Sequence, residues 1–290
     1  MLKYKTPQRV FRIGNVYVGG QPGENPTLLV GSIFYHGQKL LKNEKTGEID
    51  KEEAEALIKL QEEFSDKTGN PCMIDLVGST KEAMIRLLTF VSDITETPIL
   101  IDSPSPEVRI AGLKYAVEVG LISRVIYNSL TLASKSEELE AIKESGIESA
   151  ILLTYKTGLM KSEDRVKVIK ELLPRAEQAG ISKPLVDTFV IDIPSLSMAC
   201  RAMLDIKREF GFPCGCGAHN AISTWSGFER RMGTQAVKPC ITAINTTPVA
   251  LGADFILYGP IEDCKYVFPA IYAINTSYKY LQKAMETIEF

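Results

Sequence analysis

Short apolar runs rich in Val, Ile and Leu alternate with longer amphipathic stretches from about Thr27 to the C-terminus. Eight such runs stand out: TLLVGSIF (27–34), PCMIDLVG (71–78), PILIDS (98–103), RVIYNS (124–129), SAILLTY (149–155), KPLVDT (183–188), FPCGCG (212–217) and DFILYG (254–259). Runs this short and apolar on both sides predict strands of a parallel sheet covered by helices. Between them, KEEAEALIKLQEEFSDKTG (51–69), TKEAMIRLLTFVSDI (80–94), PEVRIAGLKYAVEVG (106–120), SEELEAIKESG (136–146) and SEDRVKVIKELLPRAEQAG (162–180) place apolar residues three or four apart, which predicts helices with one buried face. Gly69, Gly120, Gly146 and Gly180 supply the stops, and Thr80, Ser136 and Ser162 stand before acidic first turns as candidate N-caps. Eight strand-and-helix units predict an α/β fold, a (β/α)8 TIM barrel that occupies residues 1–290 as a single domain.

The first residues break the repeat. VFRIGNVYVGGQPGE reads as two short strands with Gly14-Asn15 at the turn, so residues 1–26 are expected to form a hairpin cap that plugs the barrel's bottom. The irregular piece between Phe34 and Asp50 is expected over the upper face.

Charge and composition then narrow the classes of function. A net charge of −3 with both signs interspersed leaves no basic stripe for a phosphate backbone, so nucleic acid is not an expected partner. No apolar run approaches the ~20 residues of a membrane span or the length of a signal peptide, so a cytoplasmic location is expected. Six scattered cysteines read as reduced thiols. Cys214 and Cys216 sit two apart on a strand and share a face; with His219 or Cys240 they would supply zinc ligands, which keeps a zinc-dependent alkyl transferase as an alternative, although free cysteines are more often simply buried. The apolar C-terminal stretch 266–285 suits association through outer helices, and a homodimer is expected.

Active sites of parallel barrels lie at the C-terminal strand ends, so the informative positions are those where each apolar run turns polar. The second run carries Asp75, the third ends in Asp102, the fourth in Asn128 and the sixth in Asp187; the seventh leads through Gly217 into His219 and Asn220. Each Asp or Asn taken alone reads equally well as a helix cap. Together they form a ring of hydrogen-bond acceptors and amides suited to a flat heterocycle, since a carboxylate takes two bonds from an amidine-like edge and an Asn both gives and accepts. No Ser-His-Asp or Cys-His spacing accompanies them.

The chain closely resembles the H subunit of tetrahydromethanopterin S-methyltransferase and its soluble relatives, the methylcorrinoid:tetrahydrofolate methyltransferases. The strongest pieces are GGQPGENPTLLVGSIFY (19–35), FSDKTGNPCMIDLVG (64–78), PILIDSPSPEVRIAGLKYAVEVGL (98–121), RVIYNS (124–129), KPLVDT (183–188) and GFPCGCGAHN (211–220). More distantly it resembles the pterin-binding barrels of methyltetrahydrofolate:corrinoid methyltransferases and dihydropteroate synthase. What the resemblance implies is methyl transfer between a corrinoid (cobalamin) supplied by a partner protein and N5 of a tetrahydropterin. Tetrahydrofolate, in methylamine or betaine demethylation, is the first expectation; a tetrahydromethanopterin-specific subunit of a membrane complex is the alternative. It implies that Asp102, Asn128 and Asp187 bind the pyrimidine edge and that Asn220, the candidate catalytic residue, lies near N5. Asp75, Gly217 and His219 complete the candidate substrate-binding set, and no metal ligand is assigned. Asp192 competes with Asp187, because VDTFVIDIPS holds two carboxylates five apart. His219 titrates near neutrality, but in a strand-to-helix loop its side chain points elsewhere as readily as toward Asn220's ligand. The distant corrinoid enzymes carry an acid on the first strand where this chain has Gly31-Ser32-Ile33, so their proton handling does not carry over.

Overall fold

The computed structural model describes residues 2–158, 161–284, 286 and 288–289. Eight parallel strands close into a barrel: β1 (Leu28–Ile33), β2 (Cys72–Val77), β3 (Ile99–Asp102), β4 (Val125–Leu130), β5 (Ser149–Leu153), β6 (Lys183–Asp187), β7 (Cys214–Cys216) and β8 (Phe255–Pro260). Each strand pairs with its neighbour in sequence and β8 closes onto β1. The surrounding helices are α1 (Lys51–Thr68), α2 (Lys81–Ile94), α3 (Pro106–Glu118), α4 (Ser136–Ser145), α5 (Ser162–Gln178), α6 (Ile193–Phe210), α7 (Val237–Ala250) and α8 (Cys264–Lys283). Met285, the last residue of the apolar C-terminal stretch, lies outside the described residues. No helix among the described residues is long and apolar enough to cross a membrane.

Alternation along each strand sorts the core into two layers. Leu29, Ile74, Ile101, Tyr127, Leu152, Val186 and Ile256 face outward and join the helices in one large apolar cluster. Leu28, Val30, Met73, Leu100, Ile126, Ile151, Leu185, Phe255 and Leu257 face inward and form a second cluster that fills the barrel. The hairpin of Val10–Ile13 paired with Val16–Gly19 contributes Ile13, Val16 and Val18 to that inner cluster, so its apolar face lies against the N-terminal half of the barrel. Gly14, at φ 55°, makes its turn and donates to Ser123 O just before β4. Nearby, Lys207 of α6 is completely buried and places Nζ 2.5 and 2.6 Å from the Asp254 carboxylate at the start of β8.

Strand β7 is shorter than its sequence run, and Gly215 brings its backbone against β8: a Cβ there would lie 2.0 Å from Phe255 O. The segment after it is not one helix but two short ones, Asn220–Ser223 and Phe228–Met232, before α7. Between β1 and α1, Leu41–Asn43 pairs with Glu48–Ile49. Ser79 and Thr80 donate to the carbonyls of Glu44 and Lys45 there, which ties this piece to the upper end of β2.

Of the three predicted caps only Thr80 acts as one, accepting the Ala83 N–H at 3.0 Å. Ser136 and Ser162 stand one residue inside their helices, behind Lys135 and Lys161, and neither helix has a side-chain cap bond. Thr80→Ala removes both the cap bond and the 2.6 Å bond to Lys45 O, and is expected to cost about 1–2 kcal/mol of unfolding free energy in urea titrations.

Candidate functional site

Two residues beyond the inner apolar layer, every strand but β5 changes character while keeping its inward direction. Val30 is followed by Ser32, Met73 by Asp75, Leu100 by Asp102, Ile126 by Asn128, Leu185 by Asp187, Gly215 by Gly217 and Leu257 by Gly259. These positions line one cavity of about 570 Å³ at the C-terminal mouth of the barrel. All seven candidate residues, Asp75, Asp102, Asn128, Asp187, Gly217, His219 and Asn220, are on its wall. Asp192 is not: it starts α6 as a capping box, accepting the Ser195 N–H at 2.9 Å while Ser195 Oγ takes the Asp192 N–H.

Asp75, 3% exposed, is organised by its neighbours, with Oδ2 accepting from Ser32 Oγ at 2.7 Å and Oδ1 from Asn128 Nδ2 at 3.1 Å. That leaves Asn128 Oδ1 without a protein partner among the described residues. The β4–β5 pairing shifts register at this point: Ile151 pairs with Asn128 and Leu152 with Leu130. Asp187 accepts the Phe189 N–H at 2.7 Å through Oδ1. Asn220 is anchored by Nδ2 donating to Val190 O at 3.1 Å, and Gly217 makes room for it, since a Cβ there would come within 3.2 Å of that nitrogen. His219 places Nδ1 3.0 Å from Leu257 O. Its ring rests on Gly259, whose φ of 98° and close approach admit no side chain.

Burial dominates the electrostatics. It raises the Asp75 carboxyl above its ordinary range despite the bonds from Ser32 and Asn128. Asp102 is pushed well above that range, first by burial and then by the neighbouring charge of Asp75, with Arg109 pulling the other way. Asp187 is pushed up to about 6 by burial, against the Phe189 N–H and the charge of Arg165. Burial lowers the His219 pKa, so the imidazole is neutral near pH 7, and with Nδ1–H given to Leu257 its Nε2 is an acceptor.

The nearest cations do not neutralise these acids. Arg109, 8% exposed on α3, is engaged by Glu138 at 2.7 Å and by Tyr127 OH at 3.1 Å. Arg165, 1% exposed on α5, donates to Ser195 O, and its Nε has no partner among the described residues. A site with three buried carboxyl groups and so little paired positive charge favours a ligand rich in N–H donors. A heterocycle with several N–H groups along one edge meets that demand.

Sequence reasoning gave Ser32 no role and passed over Arg109 and Arg165. The arginines carried a signal: each falls on the apolar face of its helix, beside Val108, Gly112 and Leu113 or beside Val168, Ile169 and Leu172. The C-x-C pair goes elsewhere. Cys214 and Cys216 share a face, but it is the outer one, buried against the helices, where burial raises both thiols well above their ordinary range. Among the described residues no group of three or more His, Cys, Asp or Glu side chains is placed to share a metal ion, and the zinc alternative has no ligand set there.

Known proteins agree with this barrel at two levels of likeness. The chain is similar over 93% of its length to the H subunit of tetrahydromethanopterin S-methyltransferase from Methanothermobacter thermautotrophicus, with 42% identity and 91% of that protein covered. It is 36% identical to the H subunit of a putative mtx methyltransferase from Methanosarcina acetivorans, covering 93% of this chain and 90% of the relative. Among solved structures, dihydropteroate synthases of Yersinia pestis and Vibrio fischeri superpose with TM-scores of 0.66 and 0.64, each at 14% identity, over 93% of this chain and 100% and 98% of theirs. That degree of likeness shows a shared fold. A family model described as the tetrahydromethanopterin S-methyltransferase MtrH subunit matches residues 6–290, and with the identities above it places the chain as a member of the MtrH family.

Proposed function

We propose that this chain is a methyltransferase that moves a methyl group between N5 of a tetrahydropterin and a corrinoid presented by a partner protein. Tetrahydromethanopterin is the pterin we put first, because it is the one in the names of relatives up to 42% identical. They outweigh the sequence-based preference for tetrahydrofolate, which shares the same ring. The observation that carries the reading is the inward ring of Asp75, Asp102, Asn128 and Asp187 beside an anchored Asn220.

In this reading Asp187 and Asn128 Oδ1 accept from the amino-pyrimidine edge. Asp102, which burial holds above the usual carboxylate range, faces the ring as a further hydrogen-bond partner. Ser32 and Asp75 fix Asn128 from behind. Asn220, immobilised by Val190 O, turns the rest of its amide to N5, where it gives or accepts a hydrogen bond as the nitrogen loses or gains its methyl group. A corrinoid, when bound, would supply a cobalt centre able to take up or give up a methyl group. The barrel's share is alignment, worth up to roughly 7–11 kcal/mol in well-oriented reactions.

Anaerobic absorbance of methylcobalamin mixed with the protein, in parallel with tetrahydromethanopterin and tetrahydrofolate, tests the proposal. Loss of the cobalt–methyl band is expected, faster with tetrahydromethanopterin. A faster reaction with tetrahydrofolate would reverse the choice of pterin. No loss with either, at concentrations that saturate pterin binding, would count against the reaction with free methylcobalamin as methyl donor.

A further inference from the structure

At the end of β6 the chain does something costly. Phe189, two residues past Asp187, adopts φ 64°, a left-handed conformation that a bulky side chain rarely takes. The result is an aromatic surface beside the cavity mouth. The Phe189 ring lies 4.7 Å from that of Tyr155, two residues past the β5 residue Leu153 that lines the cavity, at an interplanar angle of 52°. Behind Phe189 is the buried guanidinium of Arg165, 6.0 Å from the ring centre. Tyr155 is 42% exposed, and Ile191 in the same loop is 46% exposed. Two hydrogen bonds fix this segment to the site: Phe189 N–H to Asp187 and Asn220 Nδ2 to the carbonyl of Val190.

We infer that Tyr155 and Phe189 form the subsite for the aryl group that tetrahydromethanopterin and tetrahydrofolate carry through C6; this rests on the function proposed above. The argument is one of connectivity. With the pyrimidine edge on Asp187 and N5 beside Asn220, the adjacent ring atom C6 directs its substituent toward the segment that anchors Asn220. That segment is 189–191, where the half-buried Phe189 ring packs beside the exposed Tyr155. A flat aryl ring stacks on such a pair in the offset or tilted arrangements that aromatic groups prefer, and the Arg165 guanidinium, 6.0 Å from the Phe189 ring centre, adds a cation beside it.

Titration under anaerobic conditions separates this inference from the function beneath it. The probes are tetrahydromethanopterin, and 6-methyltetrahydropterin, which has the same ring without the aryl group. Tyr155→Ala is expected to weaken tetrahydromethanopterin about three- to tenfold, the contribution of one aromatic pair, with 6-methyltetrahydropterin held within twofold. Tyr155→Phe is expected to restore the lost affinity. Equal loss for both ligands, or no loss for either, overturns the subsite and leaves the pterin reading standing. Failure of both ligands to bind the wild-type protein overturns the pterin reading and the subsite with it.

Discussion

Asn220→Ala is expected to slow methyl transfer about a hundredfold, the loss seen when one fixed hydrogen-bonding dipole at a charge-changing atom is removed. The tetrahydropterin affinity is expected to change less than tenfold, because the residues assigned to the pyrimidine edge remain. This split between turnover and binding is what distinguishes a group acting at N5 from one that merely lines the cavity. The geometry favours the split: Asn220 is pinned at one end by Val190 O and given space by Gly217, so its dipole is aimed before the ligand arrives. Turnover within twofold of wild type would remove Asn220 from the chemistry.

Asp187→Asn should act in the opposite way, on binding and on stability with contrary signs. Its carboxylate is assigned two N–H donors of the pyrimidine edge, and hydrogen bonds to a charged group contribute about 1.5–3 kcal/mol each. Tetrahydropterin affinity at pH 7 is therefore expected to fall about a hundredfold, roughly 3 kcal/mol. The ligand-free protein should gain. Burial raises Asp187 from 3.8 to about 6, so the folded state holds this proton more tightly than the unfolded chain does. The group's contribution to stability is present below about pH 4 and is lost as pH climbs through about 6. Asparagine carries no such penalty, so thermal unfolding at pH 8 should move upward in the variant and the stability change between pH 4 and 6 should flatten. Wild-type affinity should also weaken as pH falls through about 6, where the carboxylate takes up its proton. A variant that binds pterin normally, or that is destabilised at pH 8, would contradict the assignment.

Much of this site was legible in the sequence because barrel strands enforce a period of two. Once Leu100, Ile126 and Leu185 are inward, Asp102, Asn128 and Asp187 must be inward as well, and the apolar-to-polar change marks the mouth. The same rule shows what a sequence leaves open. Cys214 and Cys216 do share a face, as their spacing requires, but the phase of β7 puts Gly215 and Gly217 inward and sends both thiols out to the helices. Asp187 and Asp192 look alike in sequence; only the start of α6 decides that the second is consumed as a cap. Ser32 was noted only as part of a strand without an acid, since one hydroxyl in an apolar run says nothing about the carboxylate it will meet from the neighbouring strand. The short helices after β7 escaped because Asn220–Ser223 and Phe228–Met232 are too brief for a helical period to show.

A crystal structure of the protein with tetrahydromethanopterin bound tests the central claim most directly. The account predicts the amino-pyrimidine edge against Asp187 and Asn128, Asp102 within hydrogen-bond distance of the ring, and N5 within about 3.2 Å of the Asn220 amide. A pterin lying outside this cavity, or turned so that N5 faces away from Asn220, would contradict it.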